Sequence, residues 1–171
     1  EPMSCGRLMM RGHAIEVRLY AEDAVNGFLP SIGPLAVFRP PEGPGIRLDT
    51  GVREGDEVTP EYDPMLAKLI VWAPSRVEAL EKMRRALDEF IVLGTTTNIE
   101  FLRDLCDAQP VVNVTTTTTT IDDVWPSGWN PPSSPVLEEA ALLAAASAET
   151  LGLHRTQTGT ASVSSENLSL I

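Results

Sequence analysis

Long apolar runs, clustered cysteines and an excess of basic charge are all missing from this 171-residue chain. No apolar stretch approaches the roughly 18 residues that read as a membrane-spanning helix, so no membrane partner is expected. Cysteine occurs only twice, at Cys5 and Cys106, with no spacing that suggests a disulfide framework or a metal site. Both read as free thiols suited to a reducing compartment. Lys and Arg number 13 against 24 Asp and Glu, a net charge of −11, which argues against nucleic-acid binding and against a basic membrane-surface patch. Twelve of those 13 bases precede Pro110, beside 18 acids, and one Arg and six acids follow it. Basic groups available to an anionic substrate are therefore confined to the first part. Also missing are a glycine-rich phosphate loop followed by Lys and Ser/Thr, a carboxylate cluster arranged for Mg²⁺, an internal repeat and a signal-peptide pattern.

What is present suffices for one domain with a tail, or one domain and a piece of another. An apolar fraction of 43% supports a real core. The pattern predicts a first strand over about 12–20, then turn chemistry at Asn26-Gly27, Pro30 and Gly33-Pro34. Short strands are expected at Leu35–Arg39, Ile46–Asp49, near Val58, and at Leu66–Trp72, where Lys68 is the exception in an apolar run. Pro40 to Gly45 is a rigid loop. Ser75 with Glu78 forms a capping box that opens a helix over 75–92. Its buried face is Val77, Leu80, Met83, Leu87 and Phe90, and Gly94 is its stop. A second box, Thr97 with Glu100, opens a shorter helix over 98–108 with Ile99, Leu102 and Leu105 inward, and Pro110 closes it. Six consecutive threonines, Thr115–Thr120, suit an extended segment. Residues 123–134 read as a linker, and Ser134-Pro135 caps a third helix that runs to Gly152. The resulting class is α+β: a small, mostly antiparallel partial barrel with two packed helices, then a linker and a separate helix.

The chemistry concentrates in Arg11 to Asp23. At period 2, Ile15, Val17 and Leu19 share one face of a strand, and Glu16, Arg18 and Tyr20 share the other. Such a face can orient an anion, although on spacing alone an ordinary half-exposed strand with a surface Glu–Arg pair is the simpler reading. Asp63, on the proline-stiffened bend Tyr62-Asp63-Pro64, supplies either a counter-charge for a cleft arginine or plain turn chemistry. His13 reads as a satisfied structural residue, and Met65 and Met83 as core.

Arg11-Gly12-His13-Ala14-Ile15-Glu16-Val17-Arg18-Leu19-Tyr20-Ala21-Glu22-Asp23 resembles the opening of the C-terminal domain of biotin carboxylase, the ATP-grasp ligase of biotin-dependent carboxylases. Four further blocks agree in the family's order: Gly27-Phe28-Leu29-Pro30-Ser31, Pro40 through Arg47, Tyr62 through Ile70, and Gly94 through Leu102. The resemblance covers about residues 1–122, with a core near 11–110, and it implies that 135–171 leads toward the next domain. It further implies that Arg18 is the catalytic arginine contacting biotin, whose ureido oxygen gains charge as the ring nitrogen is deprotonated and carboxylated. A guanidinium there contributes on the order of 3 kcal/mol, as an oxyanion donor does. Glu16 would orient Arg18, Asp63 would be its counter-charge, and Tyr62 would line the same substrate cleft. Pro44 and Arg47 match a region used for carboxylase dimer contacts. Lys68 lacks the flanking methionines of a biotin-bearing lysine, so the chain is not the carrier.

By the same resemblance, ATP and Mg²⁺ or Mn²⁺ belong to an upstream region, and biotin arrives on a carrier domain. A carboxyltransferase subunit and a second copy of the chain are the expected partners. The opening Glu1-Pro2 resembles the middle of a longer family sequence, so an inactive fragment of a cytoplasmic enzyme, or a mitochondrial-matrix one in a eukaryote, is expected. The Trp-Pro segment and Ala-rich helix favour the α chain of an acyl-CoA carboxylase, with pyruvate and urea carboxylases open. A non-catalytic assembly module is the competing reading. Ala24, where the family usually has Pro, and the threonine run depart from the pattern in loops only.

Overall fold

The computed structural model describes residues 9–132; the helix expected from residue 135, and Cys5, lie outside the described residues. In chain order the elements are β1 (His13–Tyr20), β2 (Glu22–Asp23), β3 (Leu29–Pro30), β4 (Gly33–Pro34), β5 (Val37–Arg39), β6 (Ile46–Thr50), β7 (Glu57–Val58), β8 (Met65–Ala73), α1 (Arg76–Glu89), β9 (Ile91–Leu93), α2 (Ile99–Asp107), α3 (Gln109–Val112) and α4 (Thr120–Val124). The α+β class holds.

Alternation of apolar and polar residues builds the central antiparallel sheet, in the order β1-β8-β6. Residues paired across a ladder share a face. Ile15–Val71–Ile46 and Val17–Leu69–Leu48 therefore form two apolar rows on the inner face. Leu69, Val71 and Leu19 are fully buried there. Helix α1 lies across that face through Leu80, Met83 and Leu87.

The expected single curled sheet is instead one three-stranded sheet and three two-stranded ladders, β2-β3, β4-β7 and β5-β9, with no closed barrel among the described residues. Prolines and glycines between residues 27 and 45 explain the fragmentation, since proline cannot donate to a ladder and glycine weakens a strand. The Ser75 box forms: Ser75 Oγ accepts from Glu78 N at 3.3 Å and donates to Glu78 Oε2 at 2.8 Å. Val77, however, is 65% exposed, and the buried stripe runs through Ala79, Leu80, Met83, Ala86 and Leu87. The two alanines let the helix approach the sheet, while Val77 projects past it. The helix ends at Glu89 rather than at Gly94, because Ile91–Leu93 leaves it as a strand against β5. Gly94 has a different task. Its φ is +106°, and a Cβ there would collide with the Pro34 carbonyl.

Three further expectations are corrected around α2. Its N-cap is Asn98, not Thr97; the expected Leu102 is buried together with Phe101 and Cys106, and Ile99 and Leu105 are partly buried against the same core. Pro110 opens α3 rather than ending α2. The threonines make a local turn, not an extended strand: Thr120 Oγ1 accepts from Thr117 N at 2.7 Å, and Thr119 Oγ1 donates to Asp123 Oδ2 at 2.8 Å as α4 begins. Hydroxyls bonding nearby groups outweigh the extended preference of β-branched residues.

The segment expected as a linker from 123 packs instead, and the compact unit extends to Pro131. Trp129 is 4% exposed, its Nε1 donates to Asp104 Oδ2 at 2.9 Å, and its ring meets Phe101 edge-on at 5.8 Å. Trp125 and Phe28 pack on the same Phe101 ring, at 5.5 and 4.8 Å. Proline and glycine there shape a return path for two large rings. Truncation Trp129→Ala should destabilise the unit by about 3 kcal/mol, whereas in a true linker it would shift denaturant unfolding by no more than about 0.5 kcal/mol.

Candidate functional site

The outer face of the central sheet carries the charged residues, in rows that its register dictates. Glu16, Ile70 and Arg47 form one row, and Arg18, Lys68 and Asp49 the next. Ala14 opposite Trp72 flanks the first row, and Trp72 is 46% exposed. The register thus brings Glu16, Arg18 and Arg47 onto one surface.

Asp49 belongs to Arg47. The guanidinium grips the carboxylate with Nε and Nη2, both at 2.9 Å, and Lys68 Nζ stands 4.0 Å from Asp49 Oδ2. Hydrogen bonding from Arg47 holds the Asp49 carboxyl below its ordinary range, and the Arg47 guanidinium is raised by the same bond. Glu16 adds a smaller field at Arg47. Arg18 is exposed, and it enters none of the ion pairs among the described residues, with Glu16 and Asp63 included.

Asp63 forms no ion pair with Arg18 among the described residues. Its Oδ1 accepts from Met65 N at 2.8 Å and closes its own bend. It also adds to burial in raising the Glu22 carboxyl. Tyr62 is 82% exposed and lines no described cavity. Pro44 is exposed, and its carbonyl accepts from Lys82 Nζ at 3.0 Å, which also bonds the Trp72 carbonyl at 2.9 Å, so the Pro-Gly loop is fastened to the end of β8. His13 sits under Arg76, whose Nη1 donates to its Nε2 at 2.9 Å, a structural placement.

Two residues next to Arg18 were not tied to it by sequence reasoning. Lys68 lies directly opposite Arg18, which only the register reveals. Asn98, 5% exposed, reaches the free edge of β1 across about 80 residues of chain: its Oδ1 accepts from Tyr20 N at 3.0 Å and its Nδ2 donates to the Arg18 carbonyl at 3.3 Å. Asparagine before an apolar-periodic stretch is a capping signal, but its long-range bonds have no sequence mark.

A hollow of about 390 Å³, lined by Asp23, Phe90, Ile91, Thr95, Glu100 and Trp129 among others, lies apart from the charged face. Among the described residues no group of three or more His, Cys, Asp or Glu is placed to hold a metal ion. No helix among them is long and apolar enough to cross a membrane. Cys106 is free and buried, and burial pushes its thiol up to about 11, so it offers no nucleophile.

Residues 16–123 match the family described as the biotin carboxylase C-terminal domain. The chain belongs to that family. It is 48% identical over 102 residues to the mitochondrial methylcrotonoyl-CoA carboxylase subunit alpha of Rattus norvegicus, covering 59% of this chain and 14% of that one. It is 41% identical over 170 residues to the propionyl-CoA carboxylase alpha chain of Ruegeria pomeroyi, covering 86% of this chain and 25% of the relative. A solved pyruvate carboxylase from Rhizobium etli superposes with a TM-score of 0.70 at 34% identity, over 75% of this chain and 13% of that one. The biotin carboxylase domain dimer of Hydrogenobacter thermophilus 2-oxoglutarate carboxylase, in complex with MgADP, ADP and bicarbonate, superposes with a TM-score of 0.65 at 38% identity, over 68% and 25% of the two chains. The chain thus spans a quarter or less of the length of these relatives.

The Arg47–Asp49 fork makes a titration prediction. A carboxyl whose folded value is depressed adds stability above its unfolded value, near 3.8, and that stability fades as pH falls through the lower folded value. Observed by NMR, the Asp49 carboxyl should titrate below 3.8 in the native chain and move back toward 3.8 in Arg47→Met.

Proposed function

We propose that this chain is the C-terminal part of the biotin carboxylase component of an acyl-CoA carboxylase α chain, and that Arg18 contacts biotin there. The observation that carries the reading is an exposed guanidinium, set by the register of the central sheet on a charged face, with no ion pair to a carboxylate among the described residues. As the ureido nitrogen is deprotonated, negative charge is shared with the ureido oxygen. A fixed guanidinium stabilises that charge more than it stabilises neutral biotin, which lowers the barrier rather than merely tightening binding. Lys68, in direct register with Arg18, adds positive potential to the same row. Glu16 shares this face and adds a small field at Arg47.

The described residues do not fit Mg²⁺ or a nucleotide: no cluster of ligating side chains is present among them, and the sequence has no phosphate loop. No step of ATP cleavage is assigned to this chain. Biotin on its carrier domain is the group that the charged face suits. The carboxyltransferase subunit and the acyl-CoA are proposed from the carboxylase α chains that the sequence resembles.

In the full-length carboxylase, Arg18→Ala should lower the rate of biotin carboxylation about 100-fold while leaving the thermal midpoint in place, because the side chain is exposed and makes no ion pair among the described residues. An unchanged carboxylation rate would remove the catalytic reading.

A second reading, contact between copies, is favoured at Pro44 and Arg47. Both are exposed, the Pro44 loop is fastened by Lys82, and Arg47 is held rigid by Asp49. Pre-organised polar side chains of this kind bind without a further ordering cost. Arg47→Glu in the full-length protein should shift sedimentation toward the monomer while the rate per site changes less than twofold; an intact dimer would dismiss the contact.

A further inference from the structure

We infer that Asn98 is a positioning residue for Arg18, acting through the main chain of β1. The inference rests on the reading of Arg18 as the biotin-contacting group.

Strand β1 lies at the edge of its sheet, with β8 on one side only. At residues 18 and 20 the outward-facing main-chain groups have no strand to meet. Asn98 takes the place of one. Its Oδ1 accepts from Tyr20 N at 3.0 Å, its own N donates to the Tyr20 carbonyl at 3.2 Å, and its Nδ2 donates to the Arg18 carbonyl at 3.3 Å. The three bonds bracket the point where the β1–β8 register shifts, between Leu19 and Tyr20. An irregularity of that kind re-aims the side chains beside it. Without an edge partner, the backbone carrying Arg18 would be fixed by β8 alone and free to twist at the shift.

The amide does this from a buried position, 5% exposed, at the first turn of α2, and makes no cap bond to its own helix. Its hydrogen-bonding capacity is therefore directed at β1 rather than at the helix it begins. Helix α2 is itself packed into the core through Phe101 and Leu102, so the amide is anchored to the core and transmits that rigidity to the arginine's backbone. The amide supplies the acceptor for Tyr20 N and the donor for the Arg18 carbonyl from two separate atoms of one planar group. Aspartate retains the acceptor and replaces the donor with an oxygen facing a carbonyl.

The test is a double-mutant cycle in the full-length carboxylase, with kcat and KM for biotin measured per folded enzyme. Misplacing a reacting group by about 1 Å can cost as much as 100-fold, so Asn98→Ala should lower kcat/KM at least tenfold, with the loss mainly in kcat. Combined with Arg18→Ala, it should add less than twofold to the loss from Arg18→Ala alone, because it acts only through that side chain. If Asn98→Ala fails to fold, Asn98→Asp takes its place in the cycle. Losses that multiply in the double variant, or an Asn98 variant with wild-type kcat/KM beside a crippled Arg18→Ala, would overturn the inference. If Arg18→Ala itself has wild-type kcat/KM, the underlying reading fails, and the inference with it.

Discussion

The pairing of β1 with β8 is the constraint on which everything else depends. Eight residues of β1 meet β8 in antiparallel register. Because side chains alternate, that register decides at once which residues are core and which are chemistry. Slipping it by one residue would turn Ile15, Val17 and Leu19 to solvent and bury Glu16 and Arg18 under α1. The apolar inner rows and the charged outer rows are thus two consequences of one set of main-chain bonds. Burial of fully enclosed Leu19, Leu69 and Val71, at about 1.5–3 kcal/mol each, far exceeds anything the exposed charges contribute. The core therefore sets where the charges stand.

The charges are left unevenly satisfied. Asp49 is the one carboxylate in the Arg18–Lys68–Asp49 row, and it is gripped by both arms of Arg47 from the row beside it. Lys68 gets only a distant share, at 4.0 Å, and Arg18 none. Like charges directly opposite across a ladder are unfavourable. At an exposed position that cost is small, which lets the fold tolerate a positive strip that an anionic group can use.

The parts readable in the sequence are those governed by local period. β1, β6, β8 and α1 follow from alternation or helical spacing, and Ser75 with Glu78 marks a real helix start. What escaped reading is of two kinds. Some failures came from weighing bulk over fit: Val77 looks like core, but Ala79 and Ala86 are what α1 presents to the sheet. The others are long-range. Trp125 and Trp129, among prolines and glycine, look like linker until Phe101 supplies a surface for them. Asp63 looks like a partner for Arg18 until its bend is seen to close on Met65. Arg18 itself was legible as a candidate from the strand pattern and the family motif, but its neighbours Lys68 and Asn98 depend on register and on a contact spanning about 80 residues.

That division explains why the charged face is dependable as a scaffold although its residues are scattered along the chain. The inner rows are held by apolar area, which, unlike an ion pair, is not weakened by charge screening. The outer residues are positioned by backbone already fixed from beneath by α1 and from one edge by β8, with Asn98 closing the other edge at Tyr20. A guanidinium on such a backbone loses little freedom when an anion arrives, so more of the interaction remains for stabilising charge that develops during reaction. A like residue on one of the short proline-rich ladders would have no comparable support. The long β1–β8 pair is therefore the place in this unit where a charge can be held accurately at an exposed surface.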